Sequence, residues 1–186
     1  MAGRIEDYAL IGDTHTAALV GRDGSVDWWC VPRFDSGAVF AALLGDREHG
    51  RWLLAPAGGL RTTERRYVGD TLVLETTHTT DEGVVRVLDF MPVRDHAVQM
   101  VRIVEGVSGR VPMYLDLRFR FDYGSIVPWV RTDDGRLCAT AGPDALVLST
   151  PVRWSGTWRR SPSSSSRRAS GCRSSWRGTR RTTPPR

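Results

Sequence analysis

Beyond Val152 this chain has almost nothing with which to build a core, so whatever folds must do so within the first 152 residues. Residues 153–186 hold ten Arg and nine Ser, no Asp or Glu, and a single aliphatic residue, Ala169. That composition cannot bury enough apolar surface to offset the entropy of ordering, and it predicts a disordered tail. Charge divides at the same place. All 26 basic residues are Arg, and the 21 acidic residues all lie at or before Asp144. Residues 1–152 carry 16 Arg against 21 acids, a formal charge of −5, and the tail alone contributes +10. The pI of 9.7 therefore averages two unlike pieces. A strongly basic chain points to a polyanion partner. In this chain only the tail would neutralise phosphates, with steep salt dependence. No folded recognition module accompanies it, so nucleic acid is a disfavoured partner.

A shifted reading frame accounts for the tail. Arg without Lys fits a GC-rich gene. If the true frame starts one nucleotide earlier, each true codon takes its last two bases from the first two bases of the present codon. Cys172, Trp176 and every Ser encoded by TCN then acquire T in the middle position, which specifies only apolar residues. One consistent choice of codons turns positions 169–181 into GERVPFVLAWHPS, a turn followed by an apolar strand-like run. The expected organisation is a folded domain over 1–152 and a frame-shift product over 153–186.

About 150 residues make one domain, enough to bury roughly two-thirds of the surface its unfolded chain exposes. The N-terminal MAGRIEDYAL lacks the apolar core of a signal peptide. No run approaches the roughly 20 apolar residues of a membrane span. Cys30, Cys138 and Cys172 form an odd set without CxxC spacing. Reduced thiols and a cytoplasmic location are the expectation. No two of the Cys and His residues have ligand spacing, so neither a metal nor another cofactor is expected.

Short strands alternate with turns along the domain. Thr16–Val20 and Val26–Cys30 read as strands around the turn Gly21-Arg22-Asp23-Gly24; Asp-Gly between two such runs is a strong hairpin signal. Val31–Gly37 reads as a loop, and Ala38–Leu44 as one short helical stretch ended by Gly45. Further strands are expected at 51–55, 67–68, 71–77, 84–90, 99–107, 112–121, 129–132, 136–141 and 145–150. Spacing of roughly 8 to 12 residues with polar turns predicts an all-β fold, an antiparallel β-sandwich. Leu115-Asp116-Leu117-Arg118-Phe119-Arg120-Phe121 alternates strictly, which predicts one packed and one wet face. A domain that stops near Val152 is expected to lack its last strand and to expose a raw sheet edge.

Several strings recur in an order that carries a resemblance. They are Ile5-Glu6-Asp7-Tyr8-Ala9-Leu10-Ile11-Gly12-Asp13, Thr16-Ala17-Ala18-Leu19-Val20, DGSVDWWCVPRFDSGAVFAALLG from Asp23, DFMPVRD from Asp89 and RFDYGSIVPWV from Arg120. Over residues 4 to about 152 the chain resembles the N-terminal domain of bacterial glycoside hydrolase family 15, the glucoamylase-like and trehalase-like enzymes. The resemblance implies a β-sandwich followed by a linker and a catalytic (α/α)6 barrel. It also implies inverting hydrolysis of an α-glucosidic bond in an oligosaccharide or trehalose. Inversion needs an acid and a base carboxylate about 6.5–9.5 Å apart. In the family both lie in the barrel, so no catalytic residue is expected in this chain.

The carboxylate pairs Glu6-Asp7, Asp81-Glu82 and Asp133-Asp134 read as solvated turn or cap charges, since neighbouring strand residues point to opposite faces. His15, His49, His78 and His96 lack a nucleophile at motif spacing and read as surface or capping residues. Gly21–Gly24 has neither the Lys-Ser/Thr nor the helix of a phosphate loop. The richest cluster is Trp28, Trp29, Arg33, Phe34 and Asp35. Its first reading is core and inter-domain packing, with Arg33 paired to a carboxylate. Its second is a substrate-framing loop, with aromatic faces for a sugar ring and charged groups for hydroxyls. A stand-alone carbohydrate- or partner-binding β-domain is the alternative reading of the whole chain.

Overall fold

The computed structural model describes residues 3–150, together with the backbone of 167–169 and 174–180. The strands are β1 (Tyr8–Gly12), β2 (Ala17–Gly21), β3 (Ser25–Cys30), β4 (Ala38–Phe40), β5 (Arg51–Pro56), β6 (Leu60–Tyr67), β7 (Leu74–Thr80), β8 (Gly83–Phe90) and β9 (Gln99–Gly109). They continue with β10 (Met113–Arg118), β11 (Trp129–Asp133), β12 (Arg136–Ala141), β13 (Asp144–Ser149), β14 (Arg167–Ala169) and β15 (Ser174–Arg180). One sheet runs β1-β2-β3-β5-β10-β14, with β4 paired to β3; the other runs β11-β12-β13-β15-β9-β8-β7-β6. Every pairing in both sheets is antiparallel. A single buried cluster joins the sheets, with Val20, Val26, Trp52, Leu54 and Leu117 from one and Val85, Val87, Met100, Leu137 and Leu148 from the other. The expected all-β sandwich is what forms.

The β2–β3 hairpin lies where Asp23-Gly24 places it. The Gly24 N–H donates to the Gly21 carbonyl at 2.9 Å. Gly24 has φ +85°, and a Cβ there would collide with the Leu54 carbonyl of β5. Only Gly combines that φ with so close an approach.

Three expectations change. The stretch Ala38–Leu44 is not one helix. Ala38–Phe40 is a strand, and only Ala42–Leu44 forms a 3-10 turn. Val39 and Phe40 favour extended backbone, and β4 pairs with Trp29 and Cys30 of β3. Phe40 then stacks between Trp29 and Phe119, with centroids 6.0 and 6.2 Å away. Second, Leu60–Tyr67 is a strand that the sequence conceals. LRTTERRY is polar because β6 is an edge strand and mostly exposed.

Third, the polar face of 115–121 is not wet. Asp116 is buried, and the Arg118 and Arg120 side chains are only 12% and 16% exposed. Arg51 Nη2 lies 2.8 Å from Asp116 Oδ2, and Arg118 Nε lies 3.1 Å from its Oδ1. Glu48 joins through Arg118, with Arg120 at 3.8 Å. Its 3-10 turn is held by Asp46, whose carboxylate accepts the Glu48 N–H at 2.8 Å. A charge network thus covers the face that alternation alone leaves open.

His78 departs from the surface role expected of it. It is 1% exposed on β7, with Thr63 Oγ1 3.1 Å from Nδ1. Burial pushes its pKa down to about 4; the charge on Arg102 adds to this and Asp89 opposes it. The native imidazole is therefore neutral at pH values where the unfolded one, at about 6.5, takes a proton. Stability from this residue is intact above pH 6.5, falls as pH drops toward 4, and is lost below it. We expect a loss of about 3 kcal/mol across that window. His78→Gln should flatten this part of a pH series of urea midpoints; an unchanged slope would contradict the assignment.

The expected disorder over 153–186 falls outside the described residues, except at 167–169 and 174–180. There the backbone runs as β14 beside β10 and as β15 between β13 and β9.

Candidate functional site

The loop after β3 is closed by its own backbone. The Val31 N–H donates to the Gly37 carbonyl at 3.4 Å, and the Ser36 N–H to the Arg33 carbonyl at 3.1 Å. Outside the loop, the Phe34 N–H donates to the His15 carbonyl at 3.1 Å. A second loop, 121–129, lies against it. The Tyr123 N–H donates to the Ala38 carbonyl at 3.2 Å, and the Tyr123 hydroxyl reaches the Ser36 carbonyl at 3.5 Å. Asp122 and Tyr123 hold positive φ of 49° and 58°, a conformation that costs non-glycine residues roughly 1–3 kcal/mol each.

These tethers split the predicted cluster. Trp28 is half-buried, with its ring 5.9 Å from that of Tyr123. Phe34 is 62% exposed. Arg33 Nε donates to Asp35 Oδ1 at 3.1 Å, both side chains being mostly exposed. The Arg33 hydrogen bond holds the Asp35 carboxyl below its ordinary range. An exposed pair of this kind adds little stability. Trp29 does not join them: it is 2% exposed and turned into the core against Phe40. Ile126, Val127 and Trp129 extend the exposed apolar surface along the second loop. Phe34, Tyr123, Ile126 and Val127 thus lie on two mutually tethered loops, with Trp28 near the end of β3 beside the Tyr123 ring.

The adjacent carboxylates are surface charges. Asp7 pairs with Arg22 at 3.3 Å, Glu6 with Arg4 at 3.7 Å, and Asp81 with Arg61. Asp133 and Asp134 close the β11–β12 hairpin. A separate polar cleft of about 610 Å³ lies near Tyr8, Arg22, Asp23, Asp27, Arg47 and Arg51. There the Tyr8 hydroxyl donates to Asp27 Oδ2 at 2.7 Å. Burial, followed by the Asp27 hydrogen bond, pushes the Tyr8 pKa up to about 12. None of the five predicted site residues lines that cleft. Cys30 and Cys138 are free thiols, and Cys172 lies outside the described residues. Among the described residues no helix is long and apolar enough to cross a membrane.

Sequence reasoning missed two buried ion pairs. Asp13 accepts the N–H groups of His15 and Thr16 at 3.0 and 2.9 Å on one oxygen, and its other oxygen lies 2.7 Å from Arg94 Nη2. Arg102, fully buried, donates to Asp89 at 2.7 and 3.1 Å. It also donates to the Trp52 and Gly24 carbonyls of the facing sheet at 2.7 and 2.8 Å. The available signal was a charge set inside an apolar strand: Arg102 between Val101 and Ile103, and Asp89 beside Leu88 and Phe90. Their partnership follows only from the β8–β9 register, which places them directly opposite.

Among the described residues, the fold is an antiparallel sandwich braced by the buried pairs Asp13–Arg94 and Asp89–Arg102, with exposed aromatic side chains at a pair of tethered loops. The chain belongs to the trehalase-like N-terminal family, whose model matches residues 1–166. It is 35% identical over 176 residues to a trehalase of Mycobacterium tuberculosis, with 80% of this chain and 26% of that protein covered. A trehalase of Mycolicibacterium smegmatis is 36% identical over 138 residues, covering 64% of this chain and 20% of that protein. One from Thermoplasma volcanium is 27% identical over 158 residues, covering 81% and 25%. The chain thus spans about a quarter of the length of these relatives. No solved structure matches it.

Proposed function

We propose that this sandwich is the N-terminal accessory domain of an α-glucosidic hydrolase of trehalase or glucoamylase type. Its partner is a catalytic (α/α)6 barrel, and trehalose is the favoured substrate of the whole. The single observation that carries this reading is the apolar surface on the two tethered loops. Phe34 and Val127 are 62% and 64% exposed on segments held in place by named backbone hydrogen bonds. Exposed apolar side chains gathered on tethered loops are the kind of surface that marks an interaction site, and the relatives extend well beyond the part this chain matches.

A double substitution, Phe34→Asp with Tyr123→Ser, tests the docking role. In a chain carrying the barrel region, it should make the sandwich unfold as a separate, earlier calorimetric transition. In the 186-residue chain the Phe34→Asp change alone should stay within about 0.5 kcal/mol, as exposed positions do. The Arg33–Asp35 pair beside Phe34 supports a second role at the same place. On that reading Trp28, Arg33, Phe34 and Asp35 frame the substrate opening, with Trp29 bracing them from the core. It predicts a fall in kcat/KM for Phe34→Ala with an unchanged calorimetric trace. Substitutions that alter neither the trace nor kcat/KM would sink both readings.

A further inference from the structure

β15 is an interior strand, but residues 174–180 are SSWRGTR. Its backbone pairs with β9 on one side and β13 on the other. The register puts position 174 opposite Val104, position 176 opposite Arg102, position 178 opposite both Met100 and Leu148, and position 180 opposite Leu146. All of these partners are at most 7% exposed. Directly opposed residues share a sheet face, so these four positions belong to the buried face, and the sequence offers Ser, Trp, Gly and Arg for them. A void of about 20 Å³ lies beside Leu146 and Leu148, bounded also by Trp29, Phe40, Trp52 and Leu117. An interior strand at this place needs large apolar residues at every second position.

We propose that the channel between β9 and β13 is an acceptor site for an apolar β-strand, and that the neighbouring reading frame of this gene encodes its natural occupant. The register selects among the bases. Shifting by one nucleotide makes position 176 apolar whatever codon precedes it, because TGG supplies T and G as the last two bases. Position 174 becomes apolar for any TCN serine. Position 178 becomes Trp, Arg or Gly. The reading FVLAWHP over 174–180 then places Phe, Leu and Trp at 174, 176 and 178, and the smaller Val and Ala at 175 and 177. Its Pro falls at 180, beyond the last β9 partner at 179 and opposite Leu146 of β13, at the end of the strand, where a missing N–H is tolerated. The three large apolar residues match the register with no slip, whereas a slip of one would send Phe, Leu and Trp to the other face and leave only Val and Ala on the buried one.

The test compares three full 186-residue chains. The first is the present sequence. The second carries Ser174→Phe, Ser175→Val, Trp176→Leu, Arg177→Ala, Gly178→Trp, Thr179→His and Arg180→Pro. The third keeps the present residues at 174, 176, 178 and 180 but carries Ser175→Phe, Arg177→Leu and Thr179→Trp, so its apolar residues sit on the opposite register. Urea midpoints and amide exchange at Val101, Ile103, Leu146 and Leu148 are the readouts. Only the second chain should gain a higher midpoint and at least tenfold slower exchange in β9 and β13. Equal protection in the first and second chains, a matching gain in the third, or loss of soluble protein confined to the second would overturn the proposal.

Discussion

Replacing Arg102 with Met should remove about 3–5 kcal/mol of folding stability, enough to leave a domain of this size largely unfolded at 37 °C. Arg102 is fully buried, and its guanidinium is spread over two sheets. Nε and Nη2 engage Asp89 on β8, Nη1 takes the Trp52 carbonyl, and Nη2 also reaches the Gly24 carbonyl. The same group stacks over the Trp52 ring at 5.3 Å. Met restores volume but leaves the Asp89 carboxylate without its guanidinium and takes a donor from the Trp52 and Gly24 carbonyls, the latter still accepting the Leu54 N–H at 3.2 Å. The Asp89 carboxylate, 2% exposed, would be left charged without a counterion, and that uncompensated charge is the main cost. Lys should recover little, because a point ammonium cannot reach a carboxylate and two carbonyls at fixed angles. Adding Asp89→Leu to Arg102→Met should recover part of the loss by removing the orphaned charge. The cycle is read from urea midpoints of the four chains, and additive single effects would contradict direct coupling.

Asp13→Ala should cost about 3 kcal/mol or more. One oxygen of Asp13 accepts two backbone N–H groups, which shapes the β1–β2 turn, and the other holds Arg94 from the chain segment after β8. Alanine leaves the His15 and Thr16 amides without their acceptor, and Arg94, 14% exposed, without its carboxylate. Asp13→Asn should cost roughly half as much, since the amide oxygen still accepts the turn N–H groups while the charge is lost. Thermal unfolding of the three chains checks the order. A loss in Asp13→Asn equal to that in Asp13→Ala would place the whole effect in the ion pair and none in the turn.

These two pairs bear on what the recurrent strings mean. Asp13 closes the first string, and Asp89 and Arg94 both belong to DFMPVRD. Their carboxylates look like chemistry in a linear sequence and act as braces in the fold. That could not be read in advance, because Asp13 and Arg94, 81 residues apart, meet only through topology. The β2–β3 hairpin was legible, because Asp23-Gly24 between apolar runs admits few other conformations. β6 was not, because an edge strand needs no apolar face and LRTTERRY carries none. Alternation at 115–121 revealed the strand but not the cover over its polar side, which Glu48 and Arg51 bring from elsewhere in the chain. Within the aromatic cluster, Trp28 and Trp29 are neighbours on one strand, so a single strand register sends one to the loops and the other to the core. The two were separable by that rule, but only the fold says which goes where.

On the proposed function this domain docks and braces, and the chemistry lies in a partner domain. The direct test follows glucose release from trehalose and a maltooligosaccharide by proton NMR. It uses the 186-residue chain alone and the same domain joined to the proposed barrel region. The chain alone should release no glucose at any pH. With the barrel present, the β-anomer, the product of inversion at an α-glucosidic carbon, should be released. Hydrolysis by the isolated chain, abolished by substitution of any of its own carboxylates, would contradict the proposed function.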